Sequence, residues 1–255
     1  MNDLAPPQPA PRSRATLVLL TALGLLAFAA LIALGTWQVE RRAWKLDLID
    51  RVERRVHAPP LAAPGPRDWP GITAETNEYQ HVRATGTFLN DKETLVQAVT
   101  ELGGGFWVLS PLRTAEGTIL VNRGFVPAEK RDPAARQTGQ QSGETVVTGL
   151  LRVTEPGGAM LRANDPAADR WFSRDVAAIA TARGLDRSAP YFIDADATPN
   201  PGGHPVGGLT VIAFANNHLV YAITWYGLAL LVAGGLAILF RENRRARNSA
   251  STSSK

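Results

Sequence analysis

The sequence predicts a membrane-anchored α+β protein in which two transmembrane helices, N- and C-terminal, flank one β-rich extracytoplasmic domain with a single soluble helix. Three observations lead there. Residues Leu219 to Phe240 carry no charged side chain, and about 20 apolar residues is what a helix needs to cross a hydrocarbon core roughly 30 Å thick. A second apolar run of spanning length, Ala15 to Thr36, lies near the other end. Between them, short apolar stretches alternate with Gly, Asn, Asp and Pro clusters, which is the spacing of strands and turns.

Taken in order, residues 1–14 are Pro-rich and carry Arg12 and Arg14, too short and too weakly amphipathic for a mitochondrial transit peptide. Residues 15–36 form the first span. A cleaved signal peptide is the rival reading, since Ala27-Phe28-Ala29 is a small-x-small site, but the apolar run continues past it to Leu34. Residues 37–218 form the extracytoplasmic domain. Its first part, 37–56, continues the helix as a stalk, with Trp37, Arg41, Trp44, Leu48 and Val52 at spacings of three and four. Its arginines are either simply solvated or a basic collar above the membrane.

Five prolines between Pro59 and Pro70 then mark a linker over 57–72. Strands are expected at Val82–Phe88, Glu93–Thr100, Phe106–Leu112, Thr118–Arg123 and Thr145–Val153, as a mostly antiparallel meander. One soluble helix follows, with Ser173 as N-cap, Val176, Ile179 and Ala180 facing inward, and Gly184 as its stop. Two more strands, Tyr191–Asp194 and Thr210–Ala215, flank a Gly/Pro loop from Pro199 to Gly208. Residues 219–240 are the second span and 241–255 a basic tail.

The tail sets the orientation. Arg241, Arg244, Arg245 and Arg247 follow the second span at once, and no Lys or Arg lies between Arg187 and that span. The positive-inside bias therefore puts the C-terminal end in the cytoplasm. With two spans, the N-terminus is cytoplasmic too and the middle lies outside, although Arg41, Arg42 and Lys45 after the first span would alone favour the reverse.

Composition excludes several chemistries. The formal charge of +4 comes largely from arginines near the spans, and no basic run interleaved with aromatics suggests nucleic acid. The chain has no cysteine, which removes thiolate metal sites, disulfides and covalent c-type haem attachment. No G-x-S-x-G elbow, phosphate loop or H-E-x-x-H is present, so catalysis is not expected. His57, His81, His204 and His218 are scattered rather than spaced as a ligand set. Asp194 and Asp196 would share a strand face, yet a strand running into a turn gives the same pattern. Gly103–Gly105 reads as a loop, and Arg123 as an anchor for a carboxylate or a loop carbonyl. At the mouth of the second span His218, Tyr221, Trp225, Leu228 and Val232 line one side of a helix, beside a strip of Ala222, Ala229, Ala233 and Ala237. From these residues alone the row is either an interfacial aromatic belt or a site in which His218 is a ligand.

LGTWQVERRAWKLDLI after the first span, HVRATGTF, ILVNRGFVP, TGLLRVTEP, PNPGGHPVGGLTV and NNHLVYAITWYGLA occur in this order from about Leu34 to about Leu230. This set resembles the surfeit locus protein family, the cytochrome c oxidase assembly factors, with Phe125 where the family often has Trp. The resemblance implies a two-span protein of the inner membrane, here a bacterial one with a periplasmic central domain, that assists assembly of the largest oxidase subunit. For bacterial members it implies binding of haem a through the histidine matching His218. Tyr221, Trp225 and Trp37 would then line an apolar slot, with Arg41 and Arg42 near the propionates. Haem a synthase and membrane lipid are further candidate partners. A scaffold for the nascent subunit that never touches haem is the alternative.

Overall fold

The computed structural model describes residues 12–159 and 162–252, and they divide into two compact units. One comprises residues up to Ile49 together with those from Phe214 onward; the other runs from Asp50 to Ala213.

The first unit is a pair of long helices, α1 (Arg14–His57, whose last turns belong to the second unit) and α4 (His218–Thr252). Both are long and apolar enough to cross a membrane. They run antiparallel: Gly24 meets Leu236, Gly35 meets the Tyr226 ring, and Gln38 meets His218. Less exposed positions of α4 run through His218, Ala222, Trp225, Ala229, Val232, Leu236, Leu239 and Asn243, spaced alternately by four and three, with Tyr226, Ala233 and Ala246 partly covered beside them. On α1 they are Leu17, Thr21, Gly24, Phe28, Leu31, Gly35, Gln38, Arg42 and Lys45, with the same spacing. A repeat of seven is the seam of helices that wrap around each other at a shallow angle. Small residues let the backbones close in: Ala222 and Ala229 are 2% and 0% exposed, and a side chain at Gly35 would strike Tyr226. Of the predicted alanine strip, Ala222 and Ala229 are buried and Ala233 is partly covered, but Ala237 faces out, because the seam repeats every seven residues and the strip drifts off it.

The second unit is a closed barrel. Its strands are β1 (Leu61–Ala62), β2 (His81–Phe88), β3 (Thr94–Thr100), β4 (Gly103–Arg113), β5 (Thr118–Pro127), β6 (Glu144–Val153), the small hairpin β7 (Gly158–Ala159) and β8 (Arg162–Ala163), and β9 (Ser188–Ala195). The main sheet has the order β1-β2-β6-β9-β5-β4-β3, and an added pairing of β2 with β4 closes β2, β6, β9, β5 and β4 into a ring. Most pairs are antiparallel, but β5–β9 and β1–β2 are parallel, so the expected meander is instead a barrel with crossovers. Closure depends on Gly86, where a Cβ would collide with the Arg113 carbonyl of β4.

Inside the ring Val82, Phe88, Leu112, Val121, Leu151, Tyr191 and Ile193 form the core. The alternate residues of the same strands, Leu109, Leu120 and Phe192, face outward and are covered by Trp171 and by Val176 and Ile179 of helix α3 (Val176–Ala182). Covered on both faces, β5 is buried along nearly its whole length, which is why TILVNRGFV shows no apolar/polar alternation. In β2 the outward face is open, and Val82, Ala84 and Phe88 alternate with exposed Arg83, Thr85 and Thr87.

Several sequence expectations are corrected here. Asp175 rather than Ser173 caps α3, its carboxylate accepting from Ala178 N at 3.1 Å, because the Ser173 hydroxyl donates to the Glu155 carbonyl. Gly184 does follow the helix in the left-handed conformation. A one-turn helix α2 (Ala74–Asn77) accompanies it, with Thr73 as cap. Gly103–Gly105 is strand, paired with Thr100, Val99 and Ala98, and Gly105 leaves room for the Phe125 ring; tertiary pairing outweighs the low strand propensity of glycine. Thr210–Ala215 is not a strand. Its loop meets the barrel at Phe125 and Ala195, on β5 and β9, which already have partners on both sides. The Pro-rich segment is no free linker either: Leu61–Ala62 pairs with β2, and Ala63, Trp69 and Ile72 pack on the core.

Candidate functional site

Two polar constellations stand out, one in each unit. In the barrel, Asp194 is 3% exposed and accepts from Asn122 Nδ2 at 2.7 Å, Arg152 Nη1 at 2.9 Å, Arg174 Nη1 at 3.1 Å and Thr210 Oγ1 at 3.1 Å. Glu78 and Glu155 complete the knot on the two arginines. Every charge in this knot has an opposite partner. Asp196 turns away and accepts from Thr198 N at 2.9 Å, an Asx turn. The pair is thus a structural anchor and a turn.

The other constellation is at the start of α4. His218 is half-buried at the seam, and its Nδ1 lies 2.7 Å from Gln38 Oε1 of α1. A neutral imidazole that donates from Nδ1 to this oxygen keeps the lone pair on Nε2. That is the usual arrangement of a metal-ligating histidine, whose second nitrogen is fixed by a hydrogen bond. The other histidines are held differently: His57 Nδ1 meets the Glu53 carbonyl at 2.9 Å and His81 Nδ1 the Ala58 carbonyl at 2.7 Å.

The remaining candidates sort by helical position. Trp225 is on the seam and partly covered, and its Nε1 is buried without a partner among the described residues; the same holds for Asn216 Oδ1 just before the helix. Arg42 is also a seam position, whereas Tyr221, Trp37 and Arg41 are exposed, the first two at 53% and 54%. Each of these three immediately precedes a seam residue, Ala222, Gln38 or Arg42. In an antiparallel pair the positions one residue before the seam fall on the same side of both helices. Tyr221, Trp37 and Arg41 therefore share one flank of the pair, beside the His218–Gln38 contact. Arg41 lies over the Trp44 ring, 4.0 Å from its centre. Of the sequence row His218, Tyr221, Trp225, Leu228 and Val232, the first, third and fifth are seam positions alternating with the buried Ala222 and Ala229, and Tyr221 and Leu228 are exposed beside it.

Gln38 and Tyr226 escaped the sequence reading. Gln38 falls in the heptad with Gly24, Leu31 and Lys45, so a polar residue recurring in an otherwise apolar seam was the available signal. Tyr226 packs on Gly35, and its hydroxyl is 3.2 Å from Thr36 Oγ1.

A five-stranded barrel inserted between two apolar helices, with an imidazole oriented by an amide at the start of the second, defines the class. The SURF1 family pattern matches residues 25–230. The chain is 39% identical to Surfeit locus protein 1 of Rattus norvegicus over 217 residues, 78% of this chain and 69% of the relative. To the Homo sapiens protein of that name it is 39% identical over 214 residues, 77% and 69% of the two chains. To the SURF1-like protein of Monosiga brevicollis it is 38% identical over 225 residues, 82% and 83%. The chain belongs to the SURF1 family.

Proposed function

We propose that this protein is a membrane-anchored assembly factor for haem-copper cytochrome c oxidase, binding haem a through His218 and assisting its insertion into the largest oxidase subunit. The observation that carries the reading is the His218–Gln38 hydrogen bond, which leaves Nε2 as a ligand atom. When bound, haem a supplies an iron for that nitrogen and two carboxylates for neighbouring cations. The residues present suit such a group: Tyr221, Trp225 and Trp37 offer an apolar wall, Arg41 and Arg42 the cations, and the orphaned Trp225 Nε1 a donor still without an acceptor. A carrier that must release its cargo gains from few ligands, and one imidazole is what these residues provide.

Both long helices span the bacterial inner membrane on this reading, with the termini cytoplasmic and the barrel periplasmic, as the arginines after Phe240 favour. The role is binding and delivery rather than catalysis, and haem a synthase is the natural donor. The test is the absorption spectrum of the detergent-purified full chain from cells that make haem a. The wild type should show a Soret band and His218→Ala should not, while still inserting into the membrane. Gln38→Leu should weaken haem affinity about 10- to 100-fold, as loss of a second-nitrogen partner does. A wild type without haem, or full occupancy in His218→Ala, would leave a scaffold that contacts the nascent subunit alone.

A further inference from the structure

Among the described residues of the barrel unit, Leu61, Val99, Leu102, Val146 and Val211 are large apolar side chains left open. Leu61 aligns with Val82 and Val146 with Thr85, three positions along β2, so these two stand apart, as single surface hydrophobics often do. The other three converge. Val99 and Val211 line one cleft of about 270 Å³ together with Trp107 and Leu209, and Glu101, which also borders it, is followed by Leu102. Val99 is 87% exposed, more than Leu230 or Leu231 of the helix pair, Val211 71% and Leu102 55%. A sheet face in water carries polar side chains; on β3 Gln97 obeys this and Val99, two residues on, does not. The turn that presents Leu102 is fixed rather than loose, since Leu102 N donates to the Thr100 hydroxyl at 3.1 Å and Gly103 takes a φ of +99° that favours glycine.

What covers the patch follows from the chain that leaves it. From Ala197 to Phe240 the sequence has no Asp, Glu, Lys or Arg. Val211 is joined through this uncharged stretch to His218, the first residue of α4, and the connection can extend to at most about 25 Å. The tether keeps the patch close to whatever surface the apolar helix enters. Trp107, partly exposed at the cleft, is the residue type of a membrane–water boundary, and the carboxylate of Glu101 disfavours an anionic surface. We infer that the β3–β4 tip and residues 209–211 rest on the lipid surface, with Val99, Leu102 and Val211 entering the headgroup–acyl boundary of a zwitterionic leaflet. The inference rests on the membrane-anchored reading of α1 and α4, and adds to it a second, shallow contact made by the barrel itself.

The chain has no cysteine, so single cysteines can carry an environment-sensitive dye. The test labels Val99→Cys, Leu102→Cys, Val146→Cys and Leu230→Cys, each in the full chain reconstituted into phosphatidylcholine vesicles with and without nitroxide-bearing phosphatidylcholine. Labels at Val99 and Leu102 should be quenched about two-fold by a nitroxide near the top of the acyl chain, roughly 5–10 Å deep. The Leu230 label should be quenched by a nitroxide near the bilayer centre, and the Val146 label by neither. Adding Val211→Asp should relieve the quenching at Leu102, because a charge is expelled from the acyl boundary. A quenched Leu230 with a Leu102 label that behaves like Val146 would overturn the inference and leave the anchoring intact, whereas an unquenched Leu230 would overturn both. A Leu102 label shielded from aqueous iodide yet untouched by lipid nitroxide would mean that protein, a second copy or a partner, covers the patch in place of lipid.

Discussion

In the barrel, Leu109, Leu112, Leu120 and Leu151 are withdrawn from solvent, whereas in the helix pair Leu26, Leu230 and Leu231 are 69%, 72% and 72% exposed. The helix pair has a proper seam, so its outward leucines are not there for want of packing; they form a second apolar surface on helices that already have one buried. A helix pair made for water would carry polar residues on that side, and apolar faces of this extent belong against lipid or protein. The barrel obeys the opposite rule: Arg136, Arg152 and Arg174 are paired with carboxylates, and the buried Arg123 is held by the Gly139 carbonyl and the Asn200 amide oxygen. One chain thus contains two units built for different surroundings, which supports the proposed anchoring. The contrast predicts that the barrel fails when a buried charge is unpaired and the helix pair when its seam is overfilled.

The largest effect is expected at Asp194. Asp194→Ala leaves Arg152 and Arg174 buried with their shared carboxylate gone, and breaking such a network costs about 3–5 kcal/mol. Urea unfolding of the full chain followed by tryptophan fluorescence measures it, because Trp69, Trp107 and Trp171 report on the barrel. A loss below about 1 kcal/mol would mean that the knot is not what holds this end of the barrel.

A smaller effect separates the seam from the outward face. A Cβ at Gly35 would lie 2.6 Å from the Tyr226 ring, so Gly35→Leu should cost about 1–3 kcal/mol by overpacking. Leu231→Ala, at an outward position, should change stability by about 0.5 kcal/mol or less. Helical ellipticity during thermal unfolding in detergent distinguishes the two. Equal costs would show that the outward leucines pack against protein.

Both long apolar helices, six strands of the main sheet and the soluble helix could be read from apolar runs and turn residues, because those signals are local. Barrel closure could not: it depends on Gly86 approaching Arg113 and on the parallel pairing of β5 with β9, contacts between distant residues with no local periodicity. Thr210–Ala215 shows why alternation alone misleads, since a strand also needs an unpaired edge to join. At the helix mouth the sequence singled out His218 from its place before an uncharged run. It did not single out Gln38, whose meaning appears only once α1 and α4 are aligned antiparallel. Arg123 was read as an anchor to a carboxylate or a carbonyl, and it meets the Gly139 carbonyl; that its Nη1 has no acceptor among the described residues is a property of the packed barrel alone.

The smallest effect concerns pH, and it refines how the barrel's charges contribute. Burial alone would raise the Glu155 carboxyl, but the hydrogen bond and charge of Arg174, helped by Arg152, outweigh it and hold the group below the ordinary value of 4.5. A carboxylate whose folded pKa is depressed stabilises the fold fully above its unfolded pKa, and loses that contribution as pH falls through the folded value. The wild type should therefore exceed Glu155→Gln in stability by a constant increment from neutral pH down to about pH 4.5, with the gap closing at lower pH. Since the Glu155 side chain is 37% exposed, solvent screening limits the increment to at most about 1 kcal/mol. Urea midpoints of both proteins between about pH 3 and 7 test this. A gap that persisted unchanged to the acid end would mean that Glu155 stabilises the barrel through packing or neutral hydrogen bonds rather than through its charge.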